Sequence, residues 1–331
     1  MIRRPFGDTG LTLTPLGLGL AALGRPGYIN LGHASDLHDQ YEPEVMELRA
    51  HEMLDQAWEL GIRYFDAARS YGLAERFLST WLQSRDIDSS EVVVGSKWGY
   101  TYTAEWQIQA DAHEVKTHDL PTFRRQLRES RALLSNHMKI YQVHSATVES
   151  GVLSSREVLG GMAALRNSGM IIGLSLSGPG QADTLRKALS ISIEGAPLFR
   201  SVQATWNLLA RGVEAALKEA HSAGMGVILK EVLANGRLTS RNTEAALAAK
   251  LDLLRSVAAE CRTSMESLAV AAAIRQPWVD VVLSGAATQE HLRENVAALE
   301  VSWDPGIAQA LEVLREPEEQ YWLTRSQLAW N

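Results

Sequence analysis

The sequence predicts an α/β fold, a (β/α)8 TIM barrel with an N-terminal capping hairpin, long loops after strands 1 and 3, and a C-terminal tail. Three observations carry that expectation. Short apolar runs alternate with segments of helical period, and eight such pairs can be counted. The runs are nearly continuous, as in Val92-Val93-Val94, which marks strands buried on both faces of a parallel sheet. The 331 residues suffice for one barrel, and no linker or compositional break divides them, so residues 1–331 are expected to form a single domain.

The elements follow in order. Leu11-Thr12-Leu13-Thr14 alternates apolar and polar, as a half-buried strand does, and Pro15 breaks it. Residues 1–15 are read as the hairpin and Leu16 to Leu20 as the first barrel strand. Residues 21–43 carry Gly24, Pro26, Gly27 and Gly32; so long a loop in a compact domain is usually functional or disordered. Met46, Ala50, Met53, Ala57 and Leu60 then mark one helix face, which Gly61 ends. Ile62 to Phe65 is the second strand, and a helix over 74–84 turns Phe77, Leu78, Trp81 and Leu82 inward.

The strand 91–97 ends in Lys97 and opens a long loop over 98–120 bearing Trp98, Tyr100, Tyr102 and Trp106. Pro121 opens a helix whose Arg124, Arg125, Arg128 and Arg131 read as a solvated face. The strand 139–144 ends in His144. Helices at 157–167, 181–190 and 213–223 alternate with strands at 170–175, 201–204 and 225–229. An extra helix is expected over 244–260. Thr263 and Glu266 have capping-box spacing before the next helix. Val279 to Leu283 is the last strand, and Thr288 can cap the helix carrying Leu292, Val296 and Leu299. Residues 304–331 form the tail, in which Tyr321, Trp322 and Trp330 either cover the site or pack outside the barrel.

Composition narrows the function. A net charge of −7 argues against nucleic acid and anionic membranes as partners. The single Cys261 leaves no disulfide framework and no thiolate cluster, as in a reducing compartment. The N-terminal basic pair has no apolar run behind it, and no stretch approaches the roughly 18 apolar residues of a membrane span. A cytoplasmic protein is expected. His33, His38, His113 and His118 lie in the long loops without supporting carboxylate or cysteine spacing, so no metal site is expected. Gly17-Leu18-Gly19 lacks the third glycine and the directly following helix of a Rossmann fingerprint.

Every strand of such a barrel points its C-terminal end at one rim, where active sites lie. Asp66 follows strand 2, Tyr71 sits in the turn beyond it, Lys97 ends strand 3 and His144 ends strand 4. Each alone has an ordinary explanation: a turn cap, a packed phenol, a solvated lysine, a structural histidine. Together at neighbouring strand ends they suggest chemistry. A carboxylate holds a cation, and a cation beside a phenol makes it a better proton donor.

In these residues the chain resembles the aldo-keto reductases. The matching stretches are Tyr64–Gly72, Val92–Gly99, Ile140–His144, Met170–Ser175, Ser201–Leu208 and Leu283–Val296. The resemblance implies an NAD(P)-dependent oxidoreductase acting between nicotinamide and an aldehyde, ketone or sugar. Tyr71 would be the general acid/base, Lys97 would lower its pKa, Asp66 would hold Lys97, and His144 would orient the substrate oxygen. It places Ser175 and Gln203 at the nicotinamide carboxamide. Gly285, Thr288, His291, Glu294 and Asn295 would lie at the adenosine end, with Gly19, Leu20, Lys230, Leu233 and Asn235 completing the cofactor wall. From their places directly after strand ends, Trp98 is read as lining the substrate site, and Trp206 as either lining it or packing in the core.

The chain departs from the family pattern in three places. Leu176 stands where asparagine is usual. Lys230-Glu231 replaces an aromatic residue and serine, as a surface ion pair or with the lysine reaching the pyrophosphate. Gly285 and His291 occupy positions where a basic residue often takes the NADP phosphate, and Arg293 is expected to face away. NADP and NAD therefore both stay open. The alternatives are a cofactor-binding regulatory or redox-sensing protein with slow turnover, and a Schiff-base lyase using Lys97.

Overall fold

The computed structural model describes residues 1–331. Eight parallel strands close a barrel: β1 (Leu16–Gly19), β2 (Tyr64–Asp66), β3 (Val93–Trp98), β4 (Met138–Ala146), β5 (Ile171–Leu176), β6 (Ser201–Thr205), β7 (Gly226–Lys230) and β8 (Val281–Ser284). Closure comes from β8 pairing back onto β1, with Val282 opposite Leu16 and Ser284 opposite Leu18. At the rim, Gly19 lies opposite Asp66, and Asp66 opposite Gly95.

Helices α1 (Pro43–Glu59), α2 (Ala74–Ser84), α3 (Leu120–Leu134), α4 (Arg156–Asn167), α5 (Gln181–Leu189) and α6 (Glu214–Ser222) connect the strands. The expected extra helix is α7 (Ala248–Glu260); α8 (Met265–Ile274) and α9 (Gln289–Ala297) flank β8. Their apolar faces do what the spacing predicts, and Met46, Ala50, Met53 and Ala57 of α1 are all buried. Side-chain caps start several helices: Asp119 accepts from Thr122 N–H before α3, and Thr288 from His291 N–H before α9. The expected Thr263–Glu266 capping box does not form. Ser264 caps α8, while the Glu266 carboxylate accepts from the Ser240 N–H across the rim.

Strand period places the interior. Tyr64, Val93, Ile140, Ile228, Val281 and Leu283 point into the barrel and are closed from below by Phe6 and Leu13. Those two come from the N-terminal hairpin, Arg4–Pro5 against Thr12–Leu13. Gly95 makes room in this layer: a Cβ there would sit 2.5 Å from the Tyr64 hydroxyl. One layer higher the inward side chains are polar, beginning with Asp66, Lys97, Gln142 and Gln203.

The loops hold more structure than the sequence suggests. Residues 98–120 contain an antiparallel hairpin, Tyr100–Tyr102 with Glu114–Lys116, and residues 21–43 contain one helical turn, His33–Asp36. A second small hairpin pairs Ser192–Ile193 with Ala196–Pro197. The tail forms α10 (Pro305–Ala310) and α11 (Glu318–Ser326). No helix is long and apolar enough to cross a membrane.

Candidate active site

The β2, β3 and β4 ends bring the four polar residues together. Lys97 Nζ binds Asp66 Oδ1 and donates to the Ala67 carbonyl at 3.0 Å and the Tyr71 hydroxyl at 3.3 Å. All three ammonium protons are thereby used. The pair is fully enclosed, with side chains 0% and 2% exposed. Asp66 Oδ2 accepts from Tyr64 (3.0 Å), Gln203 (2.9 Å) and Gln142 (3.3 Å). A buried charge pair is tolerable only when its remaining hydrogen-bonding capacity is met, and here strands β2, β4 and β6 meet it.

Tyr71 lies in the turn after β2 with its hydroxyl 3.5 Å from His144 Nε2. The Ser70 hydroxyl lies 3.3 Å from Nδ1 on the other side of the imidazole. Burial pushes the His144 pKa well below its ordinary value, and Lys97, Lys230 and Arg25 push the same way, so the ring is neutral. The β4 ladder is interrupted between Val143 and Ala146, where Ser145 adopts a φ of 47°. This irregularity sets His144 at the rim.

Tyr71 departs from the sequence expectation. Its pKa is raised well above 10, first by burial and then by the Asp66 charge, with Arg25 opposing. Lys97 does not reverse this, because its charge is shared with Asp66 at shorter range. The phenol is accordingly held in its protonated form.

A cavity of about 570 Å³ opens from this point, within the range of about 300–1,000 Å³ typical of ligand sites. Its wall includes Asp66, Tyr71, His144, Gln203, Gly19, Lys230, Leu233 and Asn235, and it runs on to Gly285, His291, Glu294 and Asn295. Three expected residues stand behind that wall. Leu20 is buried and its N–H bonds the Asp66 carbonyl. Thr288 caps α9. The Ser175 hydroxyl accepts from the Ser145 N–H, fastening the β4 irregularity, and Ser177 is the serine on the cavity wall. Gln203 reaches the cavity, but its amide also donates to Asp66.

Both tryptophans turn away. Trp98 is 1% exposed and packs on Phe123, with ring centroids 5.0 Å apart. Trp206 packs on Trp278 at 5.9 Å and donates to Glu214. The reason is strand parity. Lys97 and Thr205 point into the barrel, so the next residue of each points outward to the helices.

The β7 end is built from charge. Lys230 Nζ donates to Thr205 Oγ1 at 2.7 Å and lies 3.5 Å from Glu231. Glu231 accepts two bonds from Arg325 of α11. This is a partly buried network on the cavity wall rather than a surface ion pair. Burial lowers the Lys230 pKa to about 8, against the pull of Glu231. Burial would raise Glu231, but Arg325 and Lys230 hold it at about 2.

Other wall residues carry no signal at a strand end. Arg25 is buried, donates to the Ser70 carbonyl and Glu114 at 3.1 Å each, and stands over the rings of Tyr71, Tyr28 and Trp330. Its only sequence cue is its place between Gly24 and Pro26 in the long first loop. The tail takes both expected roles: Tyr321 is buried and bonds Asn207, while Trp330 lies on the cavity and stacks on His113 at 3.7 Å. Backbone bonds between Tyr28 and Asn331 fix the chain end to the first loop. Arg293 faces outward and bonds Gln56.

The donor set fits a dinucleotide. The buried Asn235 Oδ1 on the wall has no protein partner. A Cβ at Gly285 would project into open space, so the backbone before α9 is open to close approach. The first N–H groups of α9 offer a positive helix end for phosphate. Glu294 and Asn295 supply hydrogen-bonding groups beside it.

Known proteins resemble this chain over most of its length. The profile of the Aldo/keto reductase family matches residues 15–314. Pyridoxal 4-dehydrogenase from Microbacterium luteolum is 25% identical over 350 residues, covering 91% of this chain and 93% of that one. NADH-specific methylglyoxal reductase from Escherichia coli K12 is 24% identical over 344 residues, covering 97% and 100%. An aldo-keto reductase from Bacillus halodurans in holo form shares the fold with a TM-score of 0.74 at 21% identity, covering 97% of this chain and 99% of that one. The barrel, the rim it creates and the profile match over 15–314 place this chain in the aldo/keto reductase family.

Proposed function

We propose that the protein reduces a small aldehyde, ketone or sugar carbonyl with a nicotinamide dinucleotide, with Tyr71 as the proton donor. The observation that carries this reading is the Tyr71 hydroxyl lying between Lys97 Nζ and His144 Nε2 at the mouth of the cavity.

The residues that would hold the dinucleotide are Gly19, Gln203, Lys230, Leu233 and Asn235 along the wall, with Gly285, His291, Glu294 and Asn295 at the far end. Bound there in reduced form, it supplies hydride to the carbonyl carbon. As the carbon–oxygen double bond opens, the oxygen takes the Tyr71 proton, and the phenolate later recovers one from solvent. A phenol with raised pKa is fully loaded for this step near neutral pH. Lys97, already hydrogen-bonded to the hydroxyl, stabilises the phenolate as it forms. Neutral His144 directs a ring N–H to the substrate oxygen and orients the carbonyl. Asp66 holds Lys97 in place beside the phenol.

The relatives named for pyridoxal and methylglyoxal favour small aldehydes as substrates. Arg25, Glu114, Lys230 and Glu231 give the mouth both donors and acceptors, which suits a carbonyl carrying further polar groups. The test is nicotinamide absorbance followed with small aldehydes and sugars under NADH and NADPH. Aldehyde-dependent loss of the reduced coenzyme is expected. Absence of turnover with both coenzymes across the panel contradicts the reading and favours a sensing role.

A further inference from the structure

The far end of the cavity carries charges that the reduction does not use. Asp36 reaches it from the helical turn in the first loop, and its side chain is only 10% exposed. Arg241, beyond β7, binds Asp36 Oδ1 through Nη2 and also lies 3.1 Å from His291 Nε2. His291 Nδ1 is 3.9 Å from Asp36 Oδ2. The two cationic candidates at this end are thus both turned to one carboxylate. Glu266, Glu290 and Glu294 stand on the same wall. Four acids therefore face one arginine and one histidine.

We infer that Asp36 makes this end of the cavity select NADH over NADPH. The inference rests on the dinucleotide reading above. The two coenzymes differ only at the adenosine ribose, which carries a 2′-hydroxyl in one and a phosphate in the other. A hydroxyl can donate to Asp36 without disturbing Arg241. A phosphate, near two negative charges, needs Arg241 and His291 for itself. It can take them only by displacing Asp36, leaving a largely buried carboxylate without its partner. The surrounding glutamates add repulsion. Asp36 thus accepts one coenzyme and opposes the other at the same atom, which is how specificity arises from a difference in affinity.

The test is equilibrium fluorescence titration of the whole chain with NADH and NADPH, which needs no turnover. The wild type is expected to bind NADH at least about tenfold more tightly. Asp36→Asn removes the charge and frees Arg241, so NADPH should tighten by about tenfold or more while NADH weakens by less. Asp36→Ser serves as a second variant, with circular dichroism to confirm folding. Arg241→Ala on the Asp36→Asn background should abolish the gained NADPH affinity. Wild-type preference for NADPH, or equal changes for both coenzymes in the Asp36 variants, overturns this inference and leaves the reductase reading standing. Binding of neither coenzyme to the wild type overturns both.

Discussion

The two sides of the rim are stabilised differently. Around Asp66 and Lys97, the charged groups come from adjacent strands, and the partners of Asp66 Oδ2 all lie on barrel strands. At the β7 end, Glu231 is held by Arg325, 94 residues further on, and the tail lies across the opening. One side is fixed by the strands; the other depends on a terminal helix docking onto them. The difference separates chemistry, which needs atoms fixed to tenths of an ångström, from binding, where a peripheral segment can close over a ligand.

The largest expected effect is at the fixed side. Tyr71→Phe should lower kcat for carbonyl reduction by about 10³-fold, a typical loss for a positioned general acid, while coenzyme binding by fluorescence stays within about threefold. Lys97→Met should cost about 3 kcal/mol in urea denaturation, because Asp66 would stay buried without its counter-ion. An unchanged midpoint would show that the fold does not depend on the Asp66–Lys97 pair.

Arg325→Ala tests the docked side and should cost less, about 2 kcal/mol, since Lys230 still faces Glu231. The pH dependence has a definite sign. Glu231 has a folded pKa of about 2, below its ordinary 4.5, so its stabilisation is present above 4.5 and is lost as pH falls towards 2. The difference in stability between wild type and Arg325→Ala should therefore shrink in acid. A constant difference across that window would assign Arg325 a packing role, as its position over the Trp322 ring would allow. The smallest effect is expected at Trp98. Trp98→Phe should leave KM within about twofold, because the ring faces α3 and not the cavity.

The same division explains what could be read from the sequence. Asp66, Lys97 and His144 were legible because a strand end in a parallel barrel has a known address. Trp98 is not at the site because adjacency in sequence is not adjacency in space: strand parity sends neighbours to opposite faces, and the same rule settles Trp206 in the core. Ser175 shows a subtler limit: it sits at the right strand end, but its hydroxyl holds the β4 backbone. Arg25, Asp36 and Arg325 were illegible, since nothing local marks a loop or tail residue that meets its partner only after folding. The span from Asp36 to Arg241 is 205 residues. The hairpin within residues 98–120 was hidden for a related reason, its two strands being short and mixed in polarity.

The central claim is that a partly buried, protonated Tyr71 delivers the proton. It is tested most directly by pH–rate profiles in both directions with a substrate pair that turns over. Reduction should be flat from about pH 6 to about pH 9, because the phenol keeps its proton throughout. Oxidation should climb about tenfold per pH unit over the same span, because it needs the scarce phenolate. Reduction that falls with a midpoint near the ordinary histidine pKa of about 6.5 would contradict the account and put the proton on His144 instead.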